Sequence, residues 1–381
     1  MRSQVISPRR RPRPPLAKKM QHPFSPSVLL KHARALPAWS TLLLLGLLLL
    51  GALLLGVSFG ATSISLATIL QVLLNGSGIF HFAQRWDPAT GVIIWQYRLP
   101  IVVGTALVGA ALAVAGALFQ AILRNPLADP FLIGTSSGAA LGAAIAFILP
   151  FDTVYGAFFP LTAACAFAGA IVTVLFVYLL AHSGGETPVV TLILAGVVIN
   201  SVMVAAQTVL LTLASHSQFG GIVALFNWLS GGVSVVSWSP VVLVGVLVVP
   251  GIVLALCLAG VLDAFGLGEE SAAHLGLHVE RYKLLIVVLA SLITAAAVSI
   301  SGLIGFVGLM IPHVMRLLLG PRHRVLLPAS ALGGAIFLVL ADLLARVILA
   351  PSVLPVGVFT SLIGAPFFLF LLRNSKRAYK W

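Results

Sequence analysis

The chain has 381 residues, 60% of them hydrophobic and 8% charged, with a mean hydropathy of +1.13. A soluble domain carries about 25% charged residues, so a water-soluble enzyme is excluded, and two cysteines in apolar runs exclude a disulfide scaffold. The net charge of +13 raises nucleic acid as a partner, unless the basic residues sort by side of a membrane.

Residues 1–38 carry nine Lys/Arg and no acid. This Pro-rich tail (Arg11-Pro12-Arg13-Pro14-Pro15) has no apolar periodicity and reads as disordered. No aromatic residue interleaves its arginines, so it reads as a cytoplasmic topology signal with some attraction to anionic lipid, not as a nucleic-acid site.

The apolar run 41–61 is long enough to cross a hydrocarbon core of roughly 30 Å. No small-residue cleavage site follows it, so it is expected to stay as an anchor. Further spans are expected at 98–123, 135–150, 157–182, 188–213, 239–261, 284–304, 305–320, 325–349 and 354–373. Ten spans put both termini on one side. Nineteen of the 22 Lys/Arg then fall inside, leaving Arg85, Arg98 and Arg346 outside. The residues after 373 form a short basic cytoplasmic end.

Two stretches resist smooth helix: Asn125-Pro126 with the segment to Gly134, and Gly302, Gly305 and Gly308 with Pro312. Irregular backbone at membrane depth survives only where protein or a cavity satisfies its polar groups. These breaks are therefore expected to face a pathway. An offset of 186 residues superposes Gly116 on Gly302, Pro126 on Pro312 and Gly134 on Gly320. The related spans are five apart, which implies two inverted five-helix halves in an all-α polytopic chain.

Few residues offer chemistry. There is no G-x-x-x-x-G-K-[ST] phosphate loop. Gly134-Thr135-Ser136-Ser137-Gly138 fits a nucleophile elbow, but that motif needs a strand–turn–helix setting; a closely packed helix start is the simpler reading. His274 and His278 lie four apart with no third ligand nearby in sequence. His313 after Pro312 reads as packed or capping. Asp342 and Arg346 suit a local pair on one helix face. No span carries a run of carboxylates or histidines, which argues against an ion-coupled carrier and for energy supplied by another subunit.

The polar segment 262–283 holds four of the nine acids. Glu269 to Leu275 reads as a short helix ended by Gly276, with Glu269 and Glu270 suiting the N-terminal dipole. Its functional reading is a docking element for a cytoplasmic partner.

Several motifs resemble a known family. They are Arg98-Leu99-Pro100, Gly109 through Gln120, Arg124-Asn125-Pro126-Leu127-Ala128-Asp129-Pro130, Leu267-Gly268-Glu269 through Leu277, Gly305 through His313, His323 through Pro328, and Leu354-Pro355-Val356-Gly357-Val358 through Gly364-Ala365-Pro366. From about residue 40 to the end, the chain resembles the iron-siderophore, haem and cobalamin permeases of binding-protein-dependent ABC importers.

The resemblance implies a multi-pass subunit of the bacterial cytoplasmic membrane, without enzymatic activity or cofactor of its own. It implies a homodimer or a heterodimer with a paralogue. Two ATP-binding subunits carry ATP and Mg, and an extracytoplasmic solute-binding protein delivers the chelate. The ATPase-coupling surface is then Leu267, Gly268, Glu269, Glu270, Ser271, Ala272, Leu275 and Gly276. Arg98 and Arg346 match positions that contact the binding protein. Ile101 stands where many members have another arginine; Arg85 is a candidate substitute. A stand-alone secondary carrier with inverted repeats is the alternative.

Overall fold

The computed structural model describes residues 37–60, 62–76, 83, 84, 86–148, 161–214, 219–233, 235, 237–350 and 352–375. The expected basic tail up to residue 36, Arg85 and the last basic residues lie outside these. Chain contacts group Ala38–Trp381 as one unit, distinct from Met1–Pro37.

The described residues form α1 (Ala38–Ser58), α2 (Leu66–Gly76), α3 (Pro88–Ile122), α4 (Thr135–Ile148), α5 (Leu161–Ala181), α6 (Val189–Ala214), α7 (Phe219–Leu229), α8 (Trp238–Cys257), α9 (Ala259–Phe265), α10 (Glu269–His274), α11 (Val279–Ser301), α12 (Val307–Leu319), α13 (His323–Val347) and α14 (Val356–Ser375). The described residues include no strand beyond an isolated bridge between Ser183 and Glu186. Seven helices (α1, α3, α5, α6, α8, α11 and α13) are long and apolar enough to cross a membrane. The shorter α4, α12 and α14 coincide with the other three expected spans.

Helix α3 begins ten residues earlier than its expected span. Asp87 accepts a hydrogen bond from Ala89 N at 3.0 Å, and Pro88 occupies the first turn. Together these make a strong start signal, which continuous hydropathy does not register. A π-helical stretch, Ile93–Arg98, interrupts α3 before its buried part. The amphipathic helices α2 and α7 were not expected, because each is too short to register as a span.

The core forms around α3 and α11, five spans apart. In each, 78% of the most apolar window is buried, against 11% for α6. Alanine and glycine make this possible. Apolar side chains gain little by leaving lipid for protein, so membrane helices associate by close backbone packing. Gly109 of α3 abuts Gly334 of α13: a Cβ there would fall 2.2 Å from the Gly334 oxygen. Gly116 meets Gly308 of α12 still more closely. Helices α4 and α5 repeat the pattern through Gly138 and Gly169. Here the serine-rich segment 134–138 acts as the packed helix start expected of it.

The 186-residue offset is mixed at residue level. Gly134 and Gly320 share a positive φ, at 85° and 88°. Gly116, however, lies within α3 while Gly302 ends α11, and Pro126 lies in a loop while Pro312 lies inside α12. The α3–α4 connection is longer than the α11–α12 connection, so no single offset aligns both.

Candidate functional site

At one end of the molecule α9, α10 and the start of α11 form a compact platform. Two glycines shape it. Gly268 has φ 111° and Gly276 has φ 83°, values that L side chains adopt only under strain. They turn the chain before and after α10, so that this six-residue helix stands off from its neighbours. Ala272 is fully buried beneath it, and the Ala272 N–H bonds to Gly268 O at 2.9 Å. Glu270, Ser271, Leu275 and Gly276 are exposed. Leu267 and Leu275 are 67% and 64% exposed, one on each side of α10.

The eight residues expected to form a coupling surface therefore divide. Leu267, Glu270, Ser271, Leu275 and Gly276 present a face with apolar knobs and an acidic charge. Ala272 is an anchor. Gly268 supplies the positive-φ turn that starts α10. Glu269 is held from inside: its Oε2 lies 3.0 Å from Lys283 Nζ on α11.

Lys283 was not expected to matter beyond its place among the inside cations. It is 2% exposed and donates to Glu269 Oε2 at 3.0 Å, Glu280 Oε1 at 2.8 Å and Thr187 O at 3.0 Å. Glu280 Oε2 in turn accepts from Thr187 N at 3.0 Å. Glu280 three residues before Lys283 was a visible signal; Thr187, far off in sequence, gave none.

A second tie closes the other flank. Asp263 Oδ1 accepts from His323 N at 3.0 Å and lies 2.7 Å from His323 Nδ1. It thereby caps the N-terminus of α13, where free N–H groups favour a carboxylate. On the α3 side, a cleft of about 540 Å³ is lined by Ile122, Arg124, Val189, Gly268, Glu269 and Ser271, among others.

The helix-break residues fall in different surroundings within the subunit. Asn125 and Pro126 are exposed at the end of α3, where Asn125 Oδ1 accepts from Leu127 N at 2.9 Å in a local turn. Within the subunit they do not face inward: the side-chain acceptor of Asn125 satisfies the turn locally. Gly134 is buried against Thr173 of α5. Gly302 packs on the Trp228 carbonyl, and Gly308 on Pro130. Gly305 lies in the connection between α11 and α12, and Pro312 is buried within α12. Gly302 and the positive-φ Phe306 make the reversal between those two helices, and Ser301 O is satisfied by Gly232 N at 2.8 Å. These breaks are inward-facing, but against protein.

A polar link also joins α3 to α12. Gln120 donates to Leu309 O at 3.1 Å and accepts from Arg316 Nη1 at 2.9 Å. Arg316, counted among the inside cations, is thus committed to the interior.

At the opposite end, Arg98 is 8% exposed. Its guanidinium donates to Val57 O at 2.7 Å, Ser58 O at 3.1 Å, Thr62 Oγ1 at 3.0 Å and Thr62 O. Arg346 donates to Gly56 O and Phe59 O, both at 3.3 Å, and pairs with Asp342 at 2.9 Å. Arg98, expected as a docking residue, is engaged within the subunit as well. Four of its five N–H groups meet acceptors at and just beyond the end of α1, where a helix leaves carbonyls without helical partners. Arg346 is the more open of the two but shares the same task. The Asp342–Arg346 pair is the local one expected.

These features define a multi-pass, all-helical membrane protein that presents a short, braced helix at one end, the architecture of a transport permease. The chain belongs to the FecCD transport family, whose model matches residues 47–374. It is 44% identical over 283 residues to the cobalamin import system permease BtuC of Halobacterium salinarum, covering 74% of each chain. It is 37% identical to the hemin transport system permease HmuU of Yersinia pestis, covering 82% of this chain and 95% of that one. A solved structure described as an inward-facing metal-chelate type ABC transporter superposes with a TM-score of 0.75 at 29% identity, over 88% of this chain and 99% of the other.

Proposed function

We propose that this chain is the transmembrane subunit of an ABC importer for a metal chelate, of the ferric siderophore, haem or corrinoid class. A solute-binding protein delivers the chelate. Two ATP-binding subunits hold ATP and Mg and drive alternating access, and a second permease subunit completes the pathway. The chain lies in a bacterial cytoplasmic membrane with both termini inside.

The observation that carries this reading is α10: a short helix with exposed Leu267 and Leu275 and the acidic Glu270, braced from beneath by ion pairs. An apolar knob on a rigid support is what a cytoplasmic motor subunit can push. The acidic charge gives the contact register more than affinity.

Helix α6 supports a central pathway. It is the least enclosed of the long helices, yet exposes Asn200, Ser201 and Thr208. Ser201 and Thr208 satisfy their hydroxyls on Val197 O and Val204 O; among the described residues the Asn200 carboxamide has no such partner. Amide burial in hydrocarbon costs roughly 4–8 kcal/mol on a cyclohexane scale. This face therefore turns to the assembled centre, not to lipid.

The test is reconstitution of the permease with its ATPase and binding protein in proteoliposomes, using cyanocobalamin, haemin and ferrichrome as probes. Uptake of one of them that requires ATP and the ATPase subunit is expected. Uptake by the permease alone, driven by an ion gradient, would instead establish a secondary carrier.

A further inference from the structure

Lys283 occupies an unusual position. A lysine is almost never fully buried unless paired, and this one spends its three donors on three acceptors from three different parts of the chain. Glu269 belongs to α10. Glu280 belongs to its own helix, α11. Thr187 lies two residues before α6, directly after the turn that the Ser183–Glu186 bridge closes. Thr187 is held twice, its carbonyl by Lys283 and its N–H by Glu280, and its hydroxyl lies 3.0 Å from His182 Nδ1. The start of α6 is thus fastened to α11 by two side chains one turn apart. The same ammonium fastens α10.

We propose that Lys283 is the positioning residue through which a displacement of α10 reaches α6. The inference rests on the reading of α10 as the ATPase-docking element and adds the route by which its motion reaches the face carrying Asn200 and Ser201. The physical reason is the cost of separation. Pulling α10 away from Lys283 strips a buried ammonium of one carboxylate; Glu269 itself is 39% exposed, so the cost falls on the lysine, which has no water to replace its partner. Pulling Thr187 away strips it of its carbonyl acceptor. The three parts therefore move together. Glu269, although it stands on the docking helix, acts inward.

The experiment uses the whole importer in lipid nanodiscs, with the native cysteines replaced (Cys165→Ala, Cys257→Ala). Spin labels are placed at Ser201 on α6 and Leu340 on α13, and their separation is measured with and without ATP and vanadate. In the parent chain the nucleotide is expected to shift this separation. In Lys283→Gln the ATPase stays bound, but the shift at α6 falls at least threefold, and uptake per ATP hydrolysed falls at least tenfold. Lys283→Arg retains most of both. If Lys283→Gln does not fold, Glu269→Ala severs only the α10 arm, with Thr187 and Glu280 still held, and the same losses are expected. An unchanged α6 shift in Lys283→Gln, or in Glu269→Ala, overturns the proposal. A Leu275→Arg importer that keeps its ATPase and its transport overturns the reading of α10 itself, a separate failure.

Discussion

Arg98 and Arg346 converge on one turn of backbone. Between them they bind the carbonyls of Gly56, Val57, Ser58 and Phe59, where α1 runs out of its own N–H donors. A helix C-terminus leaves its last carbonyls unpaired and carries partial negative charge. Two guanidinium groups answer both needs, and Asp342 offsets the excess positive charge.

Arg98→Ala is expected to cost about 3 kcal/mol, since charge-assisted hydrogen bonds contribute roughly 1.5–3 kcal/mol each and buried acceptors are left unmet. Arg98→Lys recovers less than half, because an ammonium lacks the planar fork. Thermal unfolding in detergent checks both. Affinity for the binding protein, measured on the folded fraction, should change less than stability does.

Asp342→Ala strands a second guanidinium beside Arg98 and is expected to destabilise more than the double change Asp342→Ala with Arg346→Ala. Residues in direct contact show interaction energies of about 0.5–3 kcal/mol. A double-mutant cycle on the same unfolding transition reads the coupling; a value near zero would show the pair to be idle.

Leu275→Arg and Glu270→Arg alter the exposed face of α10 without touching its anchors. Each is expected to reduce copurification of the ATPase at least tenfold while leaving the melting temperature within about 2 °C, as exposed changes usually fall within about ±0.5 kcal/mol. Changing Glu269 and Glu270 together to Arg abolishes transport and stimulated hydrolysis, with Glu269 also releasing Lys283.

Gly276→Ala meets no atom within 4 Å, so any cost is conformational. With φ at 83°, it is expected to exceed about 1 kcal/mol. Gly276→Asn should cost less, because asparagine tolerates the left-handed region. Equal losses for the two would point to packing.

Asp263→Ala removes the cap on α13 and a partner of His323, for an expected loss of about 1–2 kcal/mol. Asp263→Asn keeps an acceptor and should retain about half. Amide exchange at the start of α13 locates the effect.

Much of the membrane architecture was legible because hydropathy over twenty residues is a strong, local signal. The same holds for α10, where glycine, two acids and a final glycine follow one another. What stayed hidden was mostly long-range. Nothing near Arg98 in the chain announces its contacts with the carbonyls of α1. Lys283 looked like a topology charge because one of its acceptors lies in a distant turn. Asn125 and Pro126 were read as inward from the cost of irregular backbone at membrane depth. An asparagine turn exposed at the end of α3 meets that cost locally. Composition reports how many charges a chain has; only folding decides which of them remain free.

The alanine and glycine seams between α3, α11, α12 and α13 have a mechanical consequence. Alanine and glycine have no side-chain rotamers to freeze. Two arrangements of these helices therefore differ little in side-chain entropy, and passing between them requires no concerted rotamer exchange. A leucine-filled interface would have to unmesh before it slid. Where the glycines meet, the resistance to sliding comes from backbone contact, which makes these seams a low-friction bearing, while the ion pairs at the two ends of the molecule act as the fixings.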